Sequence, residues 1–294
     1  MAAQATTTAS GVAWPSASPS RQILKRLRRS RSTQIGLFLT LIVAVLSLGA
    51  PIFTDVDPNE MTPSAILQAP SRAHPFGTDD FGRDIFSRVL HGGRISLLVG
   101  FVVSGATAVL GFLVGTLAGY YRRLDNPLMR VMDALMAFPA ILLAIGIMAI
   151  LGPRLLNILI ALVVVYTPRT ARVVRGEILV LRESDFVLAA RALGVSDARI
   201  MLRHLVPNSL APVLVQQTFI LAVAILAEAG LGFLGVGVPP DVPTLGGILS
   251  DSRTFLRSAI WMSIFPGTFI TVLVLGFNLL GDGLRDVFDP RMQL

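Results

Sequence analysis

Two groups of residues have the types and spacing to do chemistry. The first is Glu228, the one acid set well inside an apolar run. A carboxyl group there is costly and marks either a translocation path or a buried brace. Backbone hydrogen bonds to the glycine-rich turn that follows are the favoured reading. Phe233, near the end of the same run, joins Glu228 as a candidate for a path or gate. The second group lies in HPFGTDDFGRDIFSRVLHGGRISL, from His74 to Leu97. Its His74, His91, Asp79, Asp80 and Asp84 are metal-ligand types, but the spacing matches no familiar ligand set. The plainer reading is a local ion network of Asp79, Asp80, Arg83, Asp84 and Arg88 on a short helix over residues 83–90. No G-x-x-x-x-G-K-[ST], H-E-x-x-H or G-x-S-x-G occurs, and Lys25 is the only lysine. There is no cysteine, hence no thiol catalysis, disulfide or cysteine metal site. No catalytic residue and no metal site is assigned, and an enzymatic role has no constellation to carry it.

The elements that must position these residues are membrane spans. The chain is 53% hydrophobic over 294 residues, with a mean hydropathy of +0.70, and its apolar runs are uninterrupted. That makes an all-α polytopic membrane protein. Six spans are expected, over residues 34–53, 95–119, 131–151, 155–174, 211–234 and 260–280. Pro168 and Arg169 interrupt the fourth, and Phe138-Pro139 can kink the third. Asp133 is expected to pair with an arginine such as Arg130. Gly105, Gly111, Gly115 and Gly119 line the second span, the last three at four-residue steps that favour close helix packing. Asp282 and Arg285 fall at i,i+3 and can pair on a helix.

Charge sets the orientation. Residues 21–31, 122–130, 169–203 and 285–291 hold 6, 3, 7 and 2 basic residues, whereas 72–94, 154 and 253–257 hold 4, 1 and 2. The richer set marks the cytoplasmic side, with both termini inside and residues 54–93 outside. The formal net charge of +7 therefore reports topology rather than nucleic-acid binding. Residues 1–20 have the composition of a disordered tail. A signal peptide is the rival reading of the N-terminus, but no small-residue cleavage pattern follows the apolar run.

Between the fourth and fifth spans lies SDFVLAARALGVSDARIMLRHLVPN, Ser184 to Asn208. It reads as two short helices and a bend. Ser184 caps the first, with Phe186, Val187, Ala190 and Leu193 on its apolar side, and Gly194 ends it. Ser196 caps the second, which carries Arg199 and Arg203, and Pro207 stops it. Such an elbow either docks into a groove on a partner or lies on the membrane surface.

Ala189-Ala190, three residues, Gly194 and then Pro207 resemble the EAA loop of ATP-binding-cassette (ABC) importer permeases. The wording AARALG…RHLVPN resembles the dipeptide/oligopeptide branch, and HPFGTDDFGRD, GDGLRDVFDPR and AEAGLGFLGVGVPPDVPTLGG resemble its C-type subunit. Leu188 stands where that family has a glutamate, and Leu245 where it usually has tryptophan. The resemblance implies the type I importer transmembrane fold with six helices. Its domains would be a tail (1–20), a basic segment with the first helix and external loop (21–93), the transmembrane domain (94–284) and a C-terminal tail (285–294). It implies that Ser184, Phe186, Val187, Leu188, Ala189, Ala190, Gly194, Arg199, Arg203 and Pro207 couple to an ATPase. The implied partners are a homologous permease, two ATP-binding subunits, an extracytoplasmic solute-binding protein and the lipid bilayer of a prokaryotic inner membrane. The implied cargo is a di- or oligopeptide; permeases for nickel chelates, glutathione and antimicrobial peptides look alike. No cofactor is expected in this chain, since ATP and Mg would sit on the partner subunits. A secondary transporter and a membrane scaffold with a recruiting elbow remain as alternatives.

Overall fold

The computed structural model describes residues 30–288. The expected N-terminal tail, the basic residues before Ser30 and residues 289–294, with Arg291, lie outside them. Helix α1 is Arg31–Leu48 and a short α2, Ala50–Phe53, follows. After the loop come α3 (Ile85–Tyr120), α4 (Arg122–Met136), α5 (Ala140–Leu151) and α6 (Leu155–Leu181). The elbow holds α7 (Asp185–Ala192) and α8 (Asp197–Ile200). Then come α9 (Val206–Phe233), α10 (Leu245–Ser252) and α11 (Trp261–Phe288). The described residues form no strand, only an isolated bridge between Thr78 and Asp84.

Among the described residues, five helices are long and apolar enough to cross a bilayer, and a sixth crossing exists if α4 and α5 count as one bent span. The expected third span is this bent pair, kinked where Phe138-Pro139 was expected to kink it. It breaks by 90° across Ala137-Phe138-Pro139, because Pro139 cannot continue a helix from α4. α5 alone has 12 residues, roughly 18 Å against the ~30 Å of a hydrocarbon core. α4 is strongly amphipathic, and its acids meet α6: Arg175 donates to both Asp125 oxygens at 2.5 and 2.7 Å, and Arg172 to Asp133 at 2.6 Å. Asp133 thus pairs with Arg172 and not with Arg130. The fourth span is not interrupted either; α6 runs through Pro168, beside which Thr167 Oγ1 donates to the Val163 carbonyl at 2.7 Å.

α3 has 36 residues, roughly 54 Å, and joins the two ends of the bundle. The short helix expected over residues 83–90 is its beginning. Gly92 does not break it; a Cβ there would stand 3.0 Å from the Leu245 nitrogen, so the glycine admits α10. The expected domain limit at residues 93/94 falls within this helix. Further along, a Cβ on Gly111, Gly115 or Gly119 would come within 2.5, 2.5 and 2.7 Å of Thr170, Ala171 and Ile178 of α6. Gly105 has nothing within 4 Å. The four-residue steps are thus helix packing, as small residues in lipid permit.

A polar knot holds the centre. Gln217 of α9 is buried; Thr107 Oγ1 of α3 donates to its Oε1 at 3.2 Å, and its Nε2 donates to Thr170 Oγ1 of α6 at 3.0 Å. Ser104 Oγ also donates to the Gln217 carbonyl, at 3.1 Å. Apolar side chains fill the same interface, among them Val99, Val103, Ile158, Leu162, Tyr166 and Ile220.

Substituting Gly111 by valine should overpack α3 against Thr170 and destabilise the chain by ~1–3 kcal/mol. Thermal unfolding of the detergent-purified protein checks this. Gly105→Ala, at an open position, is expected to leave the transition unchanged.

Candidate functional site

The elbow and the loop after α2 occupy opposite ends of α3. Tyr120, at one end of α3, donates its hydroxyl to Asp197 of α8 at 2.5 Å, and the Arg191 guanidinium of α7 sits 5.4 Å from the Tyr120 ring centre. Asp84 caps the other end, accepting from the Ser87 amide at 2.8 Å. The sequence reading missed Tyr120, Arg191 and Asp197. An aromatic at a span boundary beside a charged elbow was the signal available.

The elbow divides into two faces. Val187 is 0% exposed and Ala190 8%; with Ile200 and Leu205 they pack on Tyr120, Val174, Ile178 and Val213. Phe186 and Leu188 are 44% and 45% exposed, and Leu193 is 83% exposed. The expected apolar side of Phe186, Val187, Ala190 and Leu193 is therefore split, half against its own chain and half open. Ala189, Arg199 and Arg203 are also exposed. Gly194 takes φ +76°, with its amide bonded to the Arg191 carbonyl and the Val195 amide to that of Ala190. This is the left-handed turn expected of it.

Three details of the elbow are corrected. Ser184 and Ser196 stand at N-cap positions with extended backbone, but neither side chain accepts from a helix amide; Ser184 Oγ donates to the Leu181 carbonyl at 2.5 Å. Pro207 does not stop the second helix. A π-helical turn over Met201–Leu205 precedes it, with the Val206 amide bonded to the Met201 carbonyl five residues back. The wider turn accommodates the missing amide and the ring of Pro207, so α8 and α9 run on as one rod. The Asp282–Arg285 pair does not form among the described residues; both side chains are exposed.

At the other end the acids and arginines make a real network. Asp79, 2% exposed, accepts from the Phe81 and Arg83 amides at 2.9 Å and from Arg83 Nε at 2.6 Å. Arg88 Nε stands 3.8 Å from the same carboxylate. Arg83 also reaches Asp251 of α10 at 3.5 Å. Asp80 joins no ion pair among the described residues, and burial next to Asp79 raises its pKa above the usual carboxylate range. The two histidines serve separate partners: His74 Nδ1 bonds Asp84 at 2.8 Å and His91 Nδ1 bonds the Ser87 carbonyl at 3.0 Å.

Glu228 is 2% exposed and accepts from Ser96 Oγ of α3 at 2.9 Å. Its brace runs helix to helix rather than to the glycine-rich backbone. Phe233 lies at the end of α9 beneath the Arg253 guanidinium, 4.6 Å from the ring centre.

Residues 108–294 match the family model described as the binding-protein-dependent transport system inner membrane component. The chain belongs to this family. Residues 18–70 match the N-terminal transmembrane domain of oligopeptide transport permease C. A putative peptide transport system permease protein of Brucella abortus is 53% identical over 92% of this chain and 91% of its own. The dipeptide transport system permease protein DppC of Alkalihalophilus pseudofirmus is 47% identical over 94% and 91%. In fold, the chain is similar to the solved inward-facing MetNI methionine ABC transporter, with a TM-score of 0.58 and 22% identity over 68% of this chain and 96% of that one. The permease therefore has the type I ABC importer fold, and the secondary-transporter and scaffold alternatives fall away.

In this permease Val187 and Leu193 should respond differently to charge. Val187→Asp places a carboxylate in a closed apolar site, at several kcal/mol, and should lower the unfolding temperature of the isolated chain. Leu193→Asp should leave that temperature within a degree or so, since surface changes rarely exceed ~0.5 kcal/mol. Differential scanning fluorimetry in detergent distinguishes them.

Proposed function

We propose that this permease forms half of the translocation pathway of an ATP-driven importer for di- or oligopeptides, and that its elbow is the coupling element. The observation that carries the coupling is the split face of α7. Val187 and Ala190 fasten it to the bundle, while Phe186, Leu188 and Leu193 stand open beyond it. An apolar surface anchored so firmly from behind is fit for a groove on a soluble ATP-binding subunit. Ser184, Ala189, Gly194, Arg199, Arg203 and Pro207 belong to the same contact or shape it. The peptide cargo is supported by the relatives named for peptide and dipeptide transport. The remaining partners in this reading are a homologous permease, a second ATP-binding subunit and an extracytoplasmic binding protein. ATP and Mg belong to the ATP-binding subunits. ATP drives the switch between inward- and outward-open forms only by binding one of them better.

The basic residues support an elbow facing the cytoplasm and a loop around Gln68 facing out. A reporter inserted near Gln68 should be external and one fused after Asn208 cytoplasmic; a cytoplasmic Gln68 reporter would refute the topology.

Gly194 offers the sharper test. Among the described residues a Cβ there meets nothing within 4 Å, so Gly194→Val introduces no clash with them, only an unfavourable φ costing ~1–2 kcal/mol or more. The variant should insert normally and its binding protein should still load peptide. In proteoliposomes, ATP hydrolysis should become uncoupled from uptake, or the ATP-binding subunits should dissociate. Leu188→Ala should weaken assembly with little change in its salt dependence, since the missing glutamate leaves an apolar contact to lose. Normal assembly and coupled uptake in Gly194→Val would make the elbow a passive loop.

A further inference from the structure

The loop end contains a cavity that the coupling mechanism does not use. Its volume is about 320 Å³, at the small end of the range that ligand pockets span. Arg88, Asp251, Ser250 and Thr244 line it, with Pro153 of the α5–α6 hairpin and the glycine-rich segment between α9 and α10.

Glycine backbone (Gly232, Gly235, Gly237 and Gly247) forms part of the wall, beside Val238, Pro239, Pro240 and Val242. A Cβ on Gly232 would lie 3.2 Å from Gly246, and one on Gly237 would lie 2.7 Å from the Gly232 Cα. The end of α9 and the start of α10 therefore touch main chain to main chain. A wall of glycine backbone and apolar side chains leaves charge recognition to Arg88 and Asp251.

The charges are arranged in both signs. Arg88 is 3% exposed; Nη1 donates to the Pro58 carbonyl at 3.3 Å, Nε faces Asp79 at 3.8 Å, and Nη2 has no acceptor among the described residues. Asp251 is 43% exposed, and among the described residues Oδ2 meets only Arg83, at the long distance of 3.5 Å. Asp251 Oδ1 has no partner among the described residues. Arg88 and Asp251 are the charged residues in the cavity wall, one of each sign. A molecule carrying one charge of each sign can satisfy the free arginine nitrogen and the free aspartate oxygen together.

We propose that this cavity reads the two termini of a short peptide on its way into the pathway. Arg88 takes the C-terminal carboxylate, Asp251 takes the N-terminal ammonium, and the glycine backbone faces the peptide bond. Arg83 and Asp79 position the pair. The proposal rests on the peptide-import reading and adds a zwitterionic, dipeptide-sized subsite to it.

The test uses the complete complex of both permeases and the ATP-binding subunits in nanodiscs, without the binding protein. Saturation-transfer NMR compares alanyl-phenylalanine, its C-terminal amide and its N-acetyl form. The free dipeptide should bind saturably, and each blocked form should bind roughly tenfold more weakly, the scale of one charge-assisted hydrogen bond. Asp251→Asn should abolish the penalty for acetylation and keep the penalty for amidation. Arg88→Gln should do the reverse. Arg88 is buried, so a failure of that variant to assemble leaves the half-exposed Asp251→Asn to decide. Equal binding of the three probes, no binding of any, or an unchanged acetylation penalty in Asp251→Asn would each overturn the subsite. Uptake driven by the binding protein, measured on the wild-type complex reconstituted in proteoliposomes, tests the import reading separately. Uptake in proteoliposomes together with no terminus preference in nanodisc binding removes the subsite and leaves that reading standing.

Discussion

Three long helices meet at one amide. In lipid the hydrophobic effect does not press helices together, because the tails are as apolar as the side chains. What holds α3, α6 and α9 is close backbone approach and a few satisfied polar contacts. Gln217 supplies the second, with Ser104 and Thr107 on one side and Thr170 on the other. Each of these bonds is worth roughly 0.6 kcal/mol on average, a modest gain. Their larger effect is on register. Thr170 bonds Gln217 and also faces Gly111, so a slip of α6 would strand an amide and bury a methyl in a helix at once. Glu228 and Ser96 repeat the device nearer the loop end, between α3 and α9 alone.

This fixed register is what gives the two ends of the bundle a defined relation. α3 carries Asp84 at one end and Tyr120 at the other, so the charged loop and the elbow are attached to a single rod. α4 is attached differently. It leaves α3 directly and is pinned to α6 by two exposed or half-exposed arginine–aspartate pairs, which salt weakens. The bundle therefore has a stiff interior of α3, α6 and α9 and a more loosely fastened flank of α4.

Much of this was legible in the residues. The apolar runs gave the long helices, and the glycine steps gave the α3–α6 contact, because a small residue has one physical use at such a spacing. The positive φ of Gly194 followed from its place after an amphipathic stretch. The failures share a cause. Pro207 reads as a stop and Pro168 as an interruption within its span, because proline removes a backbone donor, but the consequence depends on what surrounds it. Next to Pro168 a threonine hydroxyl serves a neighbouring carbonyl; before Pro207 a π turn opens the ladder. Pro139 has no such relief and does break its span. Partner choice was likewise hidden. Asp133 has Arg130 at helical spacing, but Arg172 comes from another helix and no local pattern contains it. The two faces of α7 were invisible for the same reason: which apolar residues are covered depends on Tyr120, Ile178 and Val213 from three other helices.

The continuity of α8 with α9 alters how the elbow would act. Two separate helices joined by a stop at Pro207 would make the elbow a hinged flap, and a push on it would dissipate at the hinge. The observed rod begins at Asp197 and ends at Phe233, with Gln217 and Glu228 along it. A displacement of α7 would pass through the Gly194 turn into this rod and arrive at the polar knot and the glycine-rich segment. Only two places along that route yield easily. One is the Gly194 turn, where the backbone alone sets the angle. The other is the π turn of Met201–Leu205, whose wider ladder is less regular than an α-helix. Val187, Ile200 and Leu205 pack across both of them in one cluster with Tyr120. That packing stiffens the joint, and a stiff joint is the requirement if a movement at an ATPase surface is to reach the far end of α9 undiminished.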